Sequence, residues 1–398
     1  LLNEKDTEEC INDTWLKVWD SIPPIIPEIL SAFIGKITRN QAINKYKYEK
    51  NISSDLRTAK GIGLTNYYEN FRSFMQQRKD GQPFYFWYGA TEPHRVYEKG
   101  SWKRNGKSLD QVDVPGFLPD SEEVRGDMLD YAVEIEWADS HLSKMLEYLD
   151  SIGELNNTIV IVTADNGMPF PRAKANCFEY GVHVPFAVSY PKGFPGKRRV
   201  DDPISFVDIA PTILEIAGVK PDGMLPISGR SFMNILKSKK EGIVDQSKKY
   251  VYMGRERHSS SRWQNLGYPQ RAVRNQDYLL IWNLRPERWP AGAPQMLNKK
   301  TGELCPMYGI GEDGTFHPDW AFTDVDDAPS KTFLIENHKD PVIRPYFDLA
   351  FNKRPEFELY CIGNDPFCLD NLIGKKDYAE IENELKQALL EELKRSEE

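Results

Sequence analysis

A long amphipathic segment between two short apolar runs constrains the fold of this chain more than any other feature. Residues 120–150 carry apolar side chains at alternating spacings of four and three, which is the period of one helix face. The runs at 83–89 and 158–162 are continuously apolar and short, as expected for buried strands. A strand, a crossover helix and a second strand form the unit of a parallel sheet with a right-handed connection. The sequence therefore predicts an α/β fold.

The neighbouring segments extend this prediction. Asp120 with Glu123 fits a capping box at the start of the long helix, and Gly153 is placed to end it. A third short strand at 186–190 and another helix at 206–217 continue the alternation of strands and helices. We therefore predict a mixed or parallel sheet with helices on its faces.

The pattern changes after about residue 245. The runs at 271–274 and 278–282 flank a short polar turn and predict an antiparallel hairpin. A last helix over about 377–395 has one apolar face, with which it is expected to dock. The sequence thus predicts a second, smaller subdomain of antiparallel α+β type.

Composition excludes some classes of function. The formal net charge of −9 argues against a nucleic-acid-binding surface over the chain as a whole. No apolar stretch approaches the length of a membrane-spanning helix, so we expect no membrane segment. The five cysteines are irregularly spaced without a C-x-x-C pair, so they suggest no zinc site and leave the redox compartment open.

Two polar clusters follow the predicted strands. Residues 91–95 read Thr-Glu-Pro-His-Arg, and Asp165-Asn166-Gly167 follows the second strand. Ligands bind outside the carboxyl ends of strands in open parallel sheets, so both clusters are expected to open onto one face. Asn-Gly alone is typical of a hairpin turn. Here the prolines at 169 and 171 would remove ladder donors from a return strand, which argues against a hairpin.

These clusters, with the residues around them, resemble the sulfatase family of the alkaline-phosphatase-like superfamily. The segment 157–191 is similar to the sulfatase block in which a strand delivers Asp-Asn to a calcium ion, and a basic residue nine positions later reaches the sulfate. Residues 91–95 match the Pro-His motif, and 207–215 match the helix that follows the core sheet. The resemblance implies an alkaline-phosphatase-like fold and a sulfuric ester hydrolase.

Within that family, the closest resemblance is to heparan N-sulfatase-like members. This resemblance rests on the amino-acid sequences of the segments 169–176, 255–258 and 265–274. It implies a sulfated glycan or a small sulfated molecule as the substrate, cleaved at a sulfate ester or sulfamate. The same resemblance makes His183 and His258 substrate-binding candidates, although a structural role fits them about as well. A phosphate ester as substrate is the alternative within the superfamily, and it is disfavoured because such relatives usually carry more metal-binding histidines.

The resemblance assigns roles that the chemistry of each side chain supports. Asp165 and Asn166 are predicted metal ligands, because calcium takes carboxylate and amide oxygens. Lys174 is predicted to neutralise the charge that grows on the sulfate in the transition state. His94 is predicted to protonate or stabilise the leaving group near neutral pH. The alternatives are a hydrogen-bonded loop residue for His94 and a solvated surface charge for Lys174.

The family nucleophile has no counterpart in this sequence. In sulfatases it is a formylglycine made from Cys or Ser in a C/S-x-P/A-x-R motif, with two consecutive aspartates upstream that complete the metal site. None of the five cysteines has that context, and no serine does. The sequence therefore predicts a partial calcium site, no nucleophile in this chain, and a catalytic core truncated at its N-terminus with negligible turnover.

The first fifty residues resemble a second protein family, unrelated to the sulfatases. Residues 6–19 and 30–46 are similar to region 2 of RNA polymerase sigma factors of the extracytoplasmic-function type, which implies RNA polymerase and promoter DNA as partners. A generic amphipathic helical hairpin is the alternative. The sulfatase part implies a periplasmic or secreted parent and the first segment a cytoplasmic one, so localisation stays open. The predicted division of the chain is 1–50 for the sigma-like helical hairpin, 51–60 for a junction, 61–245 for the incomplete sulfatase core and 246–398 for the C-terminal subdomain.

Overall fold

The computed structural model describes residues 52–79, 81–294 and 321–397 of the 398-residue chain. The helical hairpin predicted for residues 1–50 lies outside the described residues. Within the described ranges, no helix is both long enough and apolar enough to cross a membrane. The helices are α1 (Tyr67–Gln76), α2 (Ser101–Arg104), α3 (Glu122–Ser151), α4 (Glu179–Val182), α5 (Ile209–Ala217), α6 (Met233–Lys237), α7 (Pro329–Glu336), α8 (Arg344–Phe351) and α9 (Ala379–Glu397).

The long amphipathic helix is confirmed as α3, but its N-terminal cap differs from the prediction. Ser121 caps the helix, because its hydroxyl accepts a hydrogen bond from the Val124 amide at 3.2 Å. Asp120 instead forms an ion pair with Arg125 at the start of the helix. Gly153, with φ of 74°, ends the helix in the left-handed conformation, as predicted.

A two-stranded sheet precedes the loop that carries the predicted metal ligands. Its strands are β1 (Val160–Thr163) and β2 (Phe186–Ser189), which pair antiparallel with Val160 opposite Ser189. The sequence predicted a parallel unit of β1 with the run at 83–89, whereas the described partner of β1 is the antiparallel strand β2. The burial predicted for β1 is also wrong, since Ile161 and Val162 are each 37% exposed.

The run at 83–89 is not a buried strand, contrary to the prediction. Alternate side chains, those of Phe84, Phe86 and Tyr88, pack against the cluster formed by α1 and α3. The side chains between them face solvent, with Tyr85 71% and Trp87 69% exposed. The run is thus covered on one face only, which continuous apolarity could not distinguish from burial on both faces.

The predicted antiparallel subdomain is confirmed as a four-stranded sheet. Its strands are β3 (Val251–Arg255), β4 (Gln270–Arg274), β5 (Tyr278–Asn283) and β6 (Phe357–Cys361), paired in that order and all antiparallel. The β4–β5 hairpin and the docking of α9 both follow the prediction. Leu385 and Leu389 of α9 pack against Val273 and Leu280 of the sheet. The described residues therefore form a mixed α/β fold that includes a two-stranded and a four-stranded antiparallel sheet, and the predicted domain boundaries stay predictions.

One apolar cluster connects the loop after β1 to the helices near the C-terminus. Phe170 of that loop is 1% exposed and packs in a cluster with Phe322, Leu334, Phe347 and Phe351. Burying a large aromatic side chain contributes about 2–3 kcal/mol relative to leaving it exposed. This cluster fixes the position of the loop that carries the candidate site.

Candidate functional site

The loop after β1 carries Asp165, Asn166 and Lys174 in a tight backbone arrangement. The Gly167 amide donates a hydrogen bond to the Gly181 carbonyl oxygen at 3.0 Å. A Cβ added at Gly167 would lie 1.9 Å from the Tyr180 carbonyl oxygen, so only glycine fits there. The Lys174 amide donates to the Met168 carbonyl oxygen at 3.1 Å. The loop therefore folds back on itself, which holds Asp165 and Asn166 near the turn that carries Lys174.

His94 lies in an exposed turn, and its predicted catalytic role stays a prediction. Its backbone amide donates to the Thr91 carbonyl oxygen at 2.8 Å. Its ring Nδ1 lies 2.6 Å from the Arg95 carbonyl oxygen. Because a carbonyl oxygen can only accept, Nδ1 carries a proton in this arrangement.

Arg95 joins this turn to the loop after β1. Its guanidinium donates to both carboxylate oxygens of Asp127 at 2.7 and 2.9 Å, and its Nε donates to the Pro169 carbonyl oxygen at 2.9 Å. The guanidinium also packs over the rings of Tyr97 and Phe170, 4.5 and 4.7 Å from their centroids. Arg95 thus connects the turn of His94 to the loop that follows Asp165 and Asn166, although the run before the first polar cluster is not a strand.

Lys174 forms an ion pair that the sequence did not predict. Its Nζ donates to Asp326 Oδ2 at 3.0 Å, and the two side chains are 14% and 23% exposed. This contact does not fit the alternative of a solvated surface charge for Lys174, and its predicted role at the sulfate stays a prediction. The lysine is positioned by a carboxylate from a segment about 150 residues later in the chain.

His258 contacts a second carboxylate of the same segment. Its Nδ1 lies 3.1 Å from Asp324 Oδ1, and Ser259 Oγ and Arg262 Nη2 donate to the Asp324 carboxylate at 2.8 Å each. Arg255 also pairs with Asp324, whose side chain is 1% exposed. Burial alone would raise the pKa of Asp324, but the hydrogen bond from His258 and the two guanidinium charges hold that pKa well below its usual range.

Asp324 and Asp326 bring His258 and Lys174 into one region. The two aspartates are separated by a single residue, Val325, whose side chain is buried in the apolar cluster of Phe170. Sequence reasoning missed both aspartates. The signal that could have found them is the acidic run at 324–327, which reads Asp-Val-Asp-Asp.

His183 is placed differently. Its side chain is 73% exposed, and its Nδ1 lies 3.1 Å from Glu179 Oε2. Glu179 also accepts from Arg274 Nε at 2.6 Å. Burial raises the pKa of Glu179, but the hydrogen bonds from His183 and Arg274 together lower it by more than burial raises it, so the net shift is downward. Among the described contacts, none joins His183 to His94, Lys174 or His258.

Arg172 anchors the lysine-bearing loop to two backbone segments near the C-terminus. Its Nη1 donates to the Leu349 carbonyl oxygen at 2.9 Å, and its Nη2 donates to the Cys368 carbonyl oxygen. The guanidinium packs over the Phe178 ring, 4.1 Å from the centroid, and burial lowers the pKa of this arginine. Sequence reasoning missed this role, because both acceptors are backbone oxygens far along the chain.

Asp165 and Asn166 carry carboxylate and amide oxygens, the ligand type that calcium prefers. Asp165 is exposed and Asn166 half-buried, shortly after the end of β1. Calcium takes six to eight oxygen ligands. Within the described ranges, no group of three or more His, Cys, Asp and Glu side chains could hold a metal ion. Asp165 and Asn166 would therefore supply only a portion of the coordination shell.

Two family models match this chain. The model of the sulfatase family matches residues 30–219, and the model of the C-terminal region of N-sulphoglucosamine sulphohydrolase matches residues 173–290. Together they extend over about two thirds of the chain. The second match includes Lys174, His183 and His258.

Curated relatives match at low identity. An ulvan-active sulfatase of Formosa agariphila is 24% identical over 97% of this chain and 63% of its own length. Human N-sulphoglucosamine sulphohydrolase is 27% identical over 54% of this chain and 46% of its own length. The chain thus spans between about half and two thirds of the length of these two relatives.

A solved structure matches the fold. It is a sulfatase of Bacteroides thetaiotaomicron connected with the metabolism of multiple glycosaminoglycans. It superposes with a TM-score of 0.51 at 18% identity and covers 82% of this chain and 58% of its own. At this identity the match supports the alkaline-phosphatase-like fold expected from the sequence and nothing finer.

The first fifty residues overlap these matches. The sulfatase match begins at residue 30, inside the segment that resembles a sigma factor, and the alignment with the Formosa protein includes most of that segment. The sigma-factor resemblance rests on residues outside the described ranges, and the predicted junction borders them. The RNA polymerase or nucleic-acid partners that the resemblance implies rest on the same residues. They stay predictions.

Proposed function

We propose that this chain is a member of the sulfatase family, whose model matches residues 30–219, and that the site around Lys174 binds the sulfate group of a sulfated glycan for hydrolysis. The observation that carries the proposal is the loop after β1. Its glycine contacts hold Asp165 and Asn166 near Lys174, and Arg95 ties the turn of His94 to the same loop.

Each side chain has a proposed part in the reaction. Hydrolysis breaks the bond between the sulfur and its bridging oxygen or nitrogen, the sulfur gains an oxygen atom that derives from water, and the leaving atom takes up a proton. His94 is proposed to supply that proton. Lys174 is proposed to neutralise the sulfate oxygens as negative charge grows on them. A calcium ion held in part by Asp165 and Asn166 would supply further positive charge at the sulfate.

We infer that the substrate is of the heparan N-sulfatase type, a sulfate ester or sulfamate on a glycan. The match of residues 173–290 to the C-terminal region of N-sulphoglucosamine sulphohydrolase supports this inference. His258 contacts Asp324, two residues before Asp326, the partner of Lys174, and this supports a place for His258 in the substrate pocket. His183 keeps the weaker case, because its described contact is with Glu179.

We also propose that the 398-residue chain by itself has negligible turnover. Its sequence contains no C/S-x-P/A-x-R segment from which a formylglycine nucleophile could be made. Binding of the sulfate group and of calcium does not need that nucleophile. Ligand binding therefore tests the proposed site separately from catalysis.

The test is calorimetric titration of the purified chain with calcium and with glucosamine N-sulfate. Asp165→Ala is expected to weaken calcium binding at least about tenfold, because it removes a charged ligand. Lys174→Ala is expected to weaken glucosamine N-sulfate binding by a similar factor. Asp222→Ala and Lys220→Ala change exposed residues of the same charge and serve as controls.

Two outcomes would overturn these proposals. If Lys174→Ala and Lys220→Ala bind the sulfated sugar as the unchanged chain does, the site is not at Lys174. If the unchanged chain hydrolyses an aryl sulfate in a calcium-dependent way that Asp165→Ala abolishes, the proposal of negligible turnover is wrong.

A further inference from the structure

The ion pair between Lys174 and Asp326 sets a condition on any anion that binds this lysine. Lys174 Nζ lies 3.0 Å from Asp326 Oδ2, and both side chains are mostly shielded from solvent. A sulfate oxygen within hydrogen-bond distance of Nζ would lie close to that carboxylate. Like charges at such a separation repel each other, and partial burial strengthens the repulsion.

Asp326 is held where it is by the residues beside it. Asp324 accepts hydrogen bonds from four side chains, those of Arg255, Arg262, Ser259 and His258. Val325 is buried in the apolar cluster, and on the other side Asp327 pairs with the buried Lys331 at 2.7 Å. A segment fixed on both sides keeps the backbone of Asp326 close to Lys174, with which its side chain pairs. An arriving sulfate therefore has to accommodate the carboxylate.

We propose that Asp326 determines specificity by accepting a hydrogen bond from an N–H or O–H group next to the bound sulfate. A substrate with such a donor turns the repulsion into a favourable contact, whereas an anion without one keeps the repulsion. A site that excludes the wrong ligand by an unfavourable contact gains selectivity in this way. Sulfamates and sulfate esters on amino sugars or vicinal diols carry this donor, and simple alkyl sulfates do not.

This inference rests on the proposed function, since it needs Lys174 to bind sulfate. The experiment compares glucosamine N-sulfate, which has donors beside the sulfate group, with methyl sulfate, which has none. Both are titrated by calorimetry into the unchanged chain and into Asp326→Asn, Asp326→Glu and Asp222→Asn. Asp222→Asn removes an exposed carboxylate and controls for the change in net charge.

The expected result is a change of preference. In the unchanged chain, glucosamine N-sulfate binds more tightly than methyl sulfate. In Asp326→Asn, methyl sulfate binds more tightly than before, and the ratio of the two affinities falls about tenfold or more. Asp326→Glu keeps the carboxylate and restores most of the preference, whereas Asp222→Asn leaves the ratio unchanged. Asp326→Ser replaces Asp326→Asn if the latter fails to fold.

The outcomes separate this inference from the proposed function. If both ligands bind in a way that Lys174→Ala weakens, but the ratio is the same in the unchanged chain and in Asp326→Asn, the role of Asp326 is wrong and the sulfate site stands. If Lys174→Ala weakens neither ligand, the sulfate site itself is wrong and this inference is overturned with it.

Discussion

The two sheets of the molecule differ in how fully their strands are covered. In the four-stranded sheet, Leu279, Leu280 and Ile281 are 0% exposed, with α9 on one face and Phe178 of the site loop on the other. In the two-stranded sheet, two of the four residues of β1 are apolar and more than a third exposed. The first sheet is stabilised by its own core. The second contributes much less buried area.

The difference shows where the order of the candidate site comes from. The loop after β1 leaves a thinly covered strand, yet its own residues are fixed by backbone contacts and by buried arginines. Phe170 packs with the helices α7 and α8, and Phe178 packs on the four-stranded sheet. The position of the site loop is thus fixed by its contacts with α7, α8 and the four-stranded sheet, more than by the strand β1 that precedes it.

The strongest test of the comparison removes the same kind of side chain from each sheet. Leu280→Ala in β5 is expected to lower the free energy of unfolding by about 2–5 kcal/mol, because it leaves a cavity in a fully buried layer. Ile161→Ala in β1 is expected to cost under about 1 kcal/mol, since that side chain is partly in water. Urea unfolding measures both. Equal losses in the two variants would contradict the comparison.

The second test acts on the backbone contact of the site loop. Gly167→Ala is expected to lower the free energy of unfolding by about 1–3 kcal/mol and to weaken calcium binding, because its Cβ would overlap the Tyr180 carbonyl oxygen. Gly196→Ala is the matched control, because a Cβ there meets no atom within 4 Å. Calorimetry and urea unfolding give the two readouts. An unchanged calcium affinity in Gly167→Ala would mean that the loop is not fixed by this contact.

The third test concerns the pH dependence of stability and acts on α3, whose Asp127 pairs with Arg95 of the turn of His94. Glu134 of this helix is 1% exposed, and its Oε1 has no hydrogen-bond partner among the described residues. Burial, together with the charges of Glu92 and Asp130, raises the pKa of Glu134 from 4.5 to about 7. The folded protein then keeps a proton that the unfolded chain releases. Stability therefore falls as the pH rises from about 4.5 to about 7.

Glu134→Gln removes this titration. The variant is expected to lose about 1–3 kcal/mol less of its unfolding free energy than the unchanged chain between pH 4.5 and pH 8. Glu123→Gln changes an exposed carboxylate on the same helix and is expected to keep the original pH dependence. Urea unfolding across this pH range measures both. The same pH dependence in Glu134→Gln and in the unchanged chain would show that the burial of Glu134 does not set it.

Local sequence patterns predicted the elements whose signals repeat over many residues. The helix α3, the β4–β5 hairpin and the docking face of α9 follow from periodicity and turn residues. The predictions of a buried strand at 83–89 and of a parallel neighbour for β1 were wrong, because apolar content does not say which faces of a strand are covered or which strand lies next to it. Those properties depend on tertiary partners.

The same limit applies to the candidate site. The positions of Asp165, Asn166 and Lys174 on one loop could be predicted, since they lie close together in the sequence. Asp326 and Asp324 could not be assigned to Lys174 and His258, because about 150 and 66 residues separate the partners. Aspartates are common on surfaces, and nothing in their local pattern names the cation they meet.

The anchoring of the lysine loop by Arg172 has a consequence for the order of folding. Its two carbonyl acceptors lie 177 and 196 residues downstream. Contacts at such separations close late, because the entropy of loop closure must be overcome before they form. During synthesis the N-terminal part emerges first. A nascent chain that ends between residues 328 and 348 would contain every residue of the candidate site and would still lack both acceptors that hold Arg172 and the lysine loop in place.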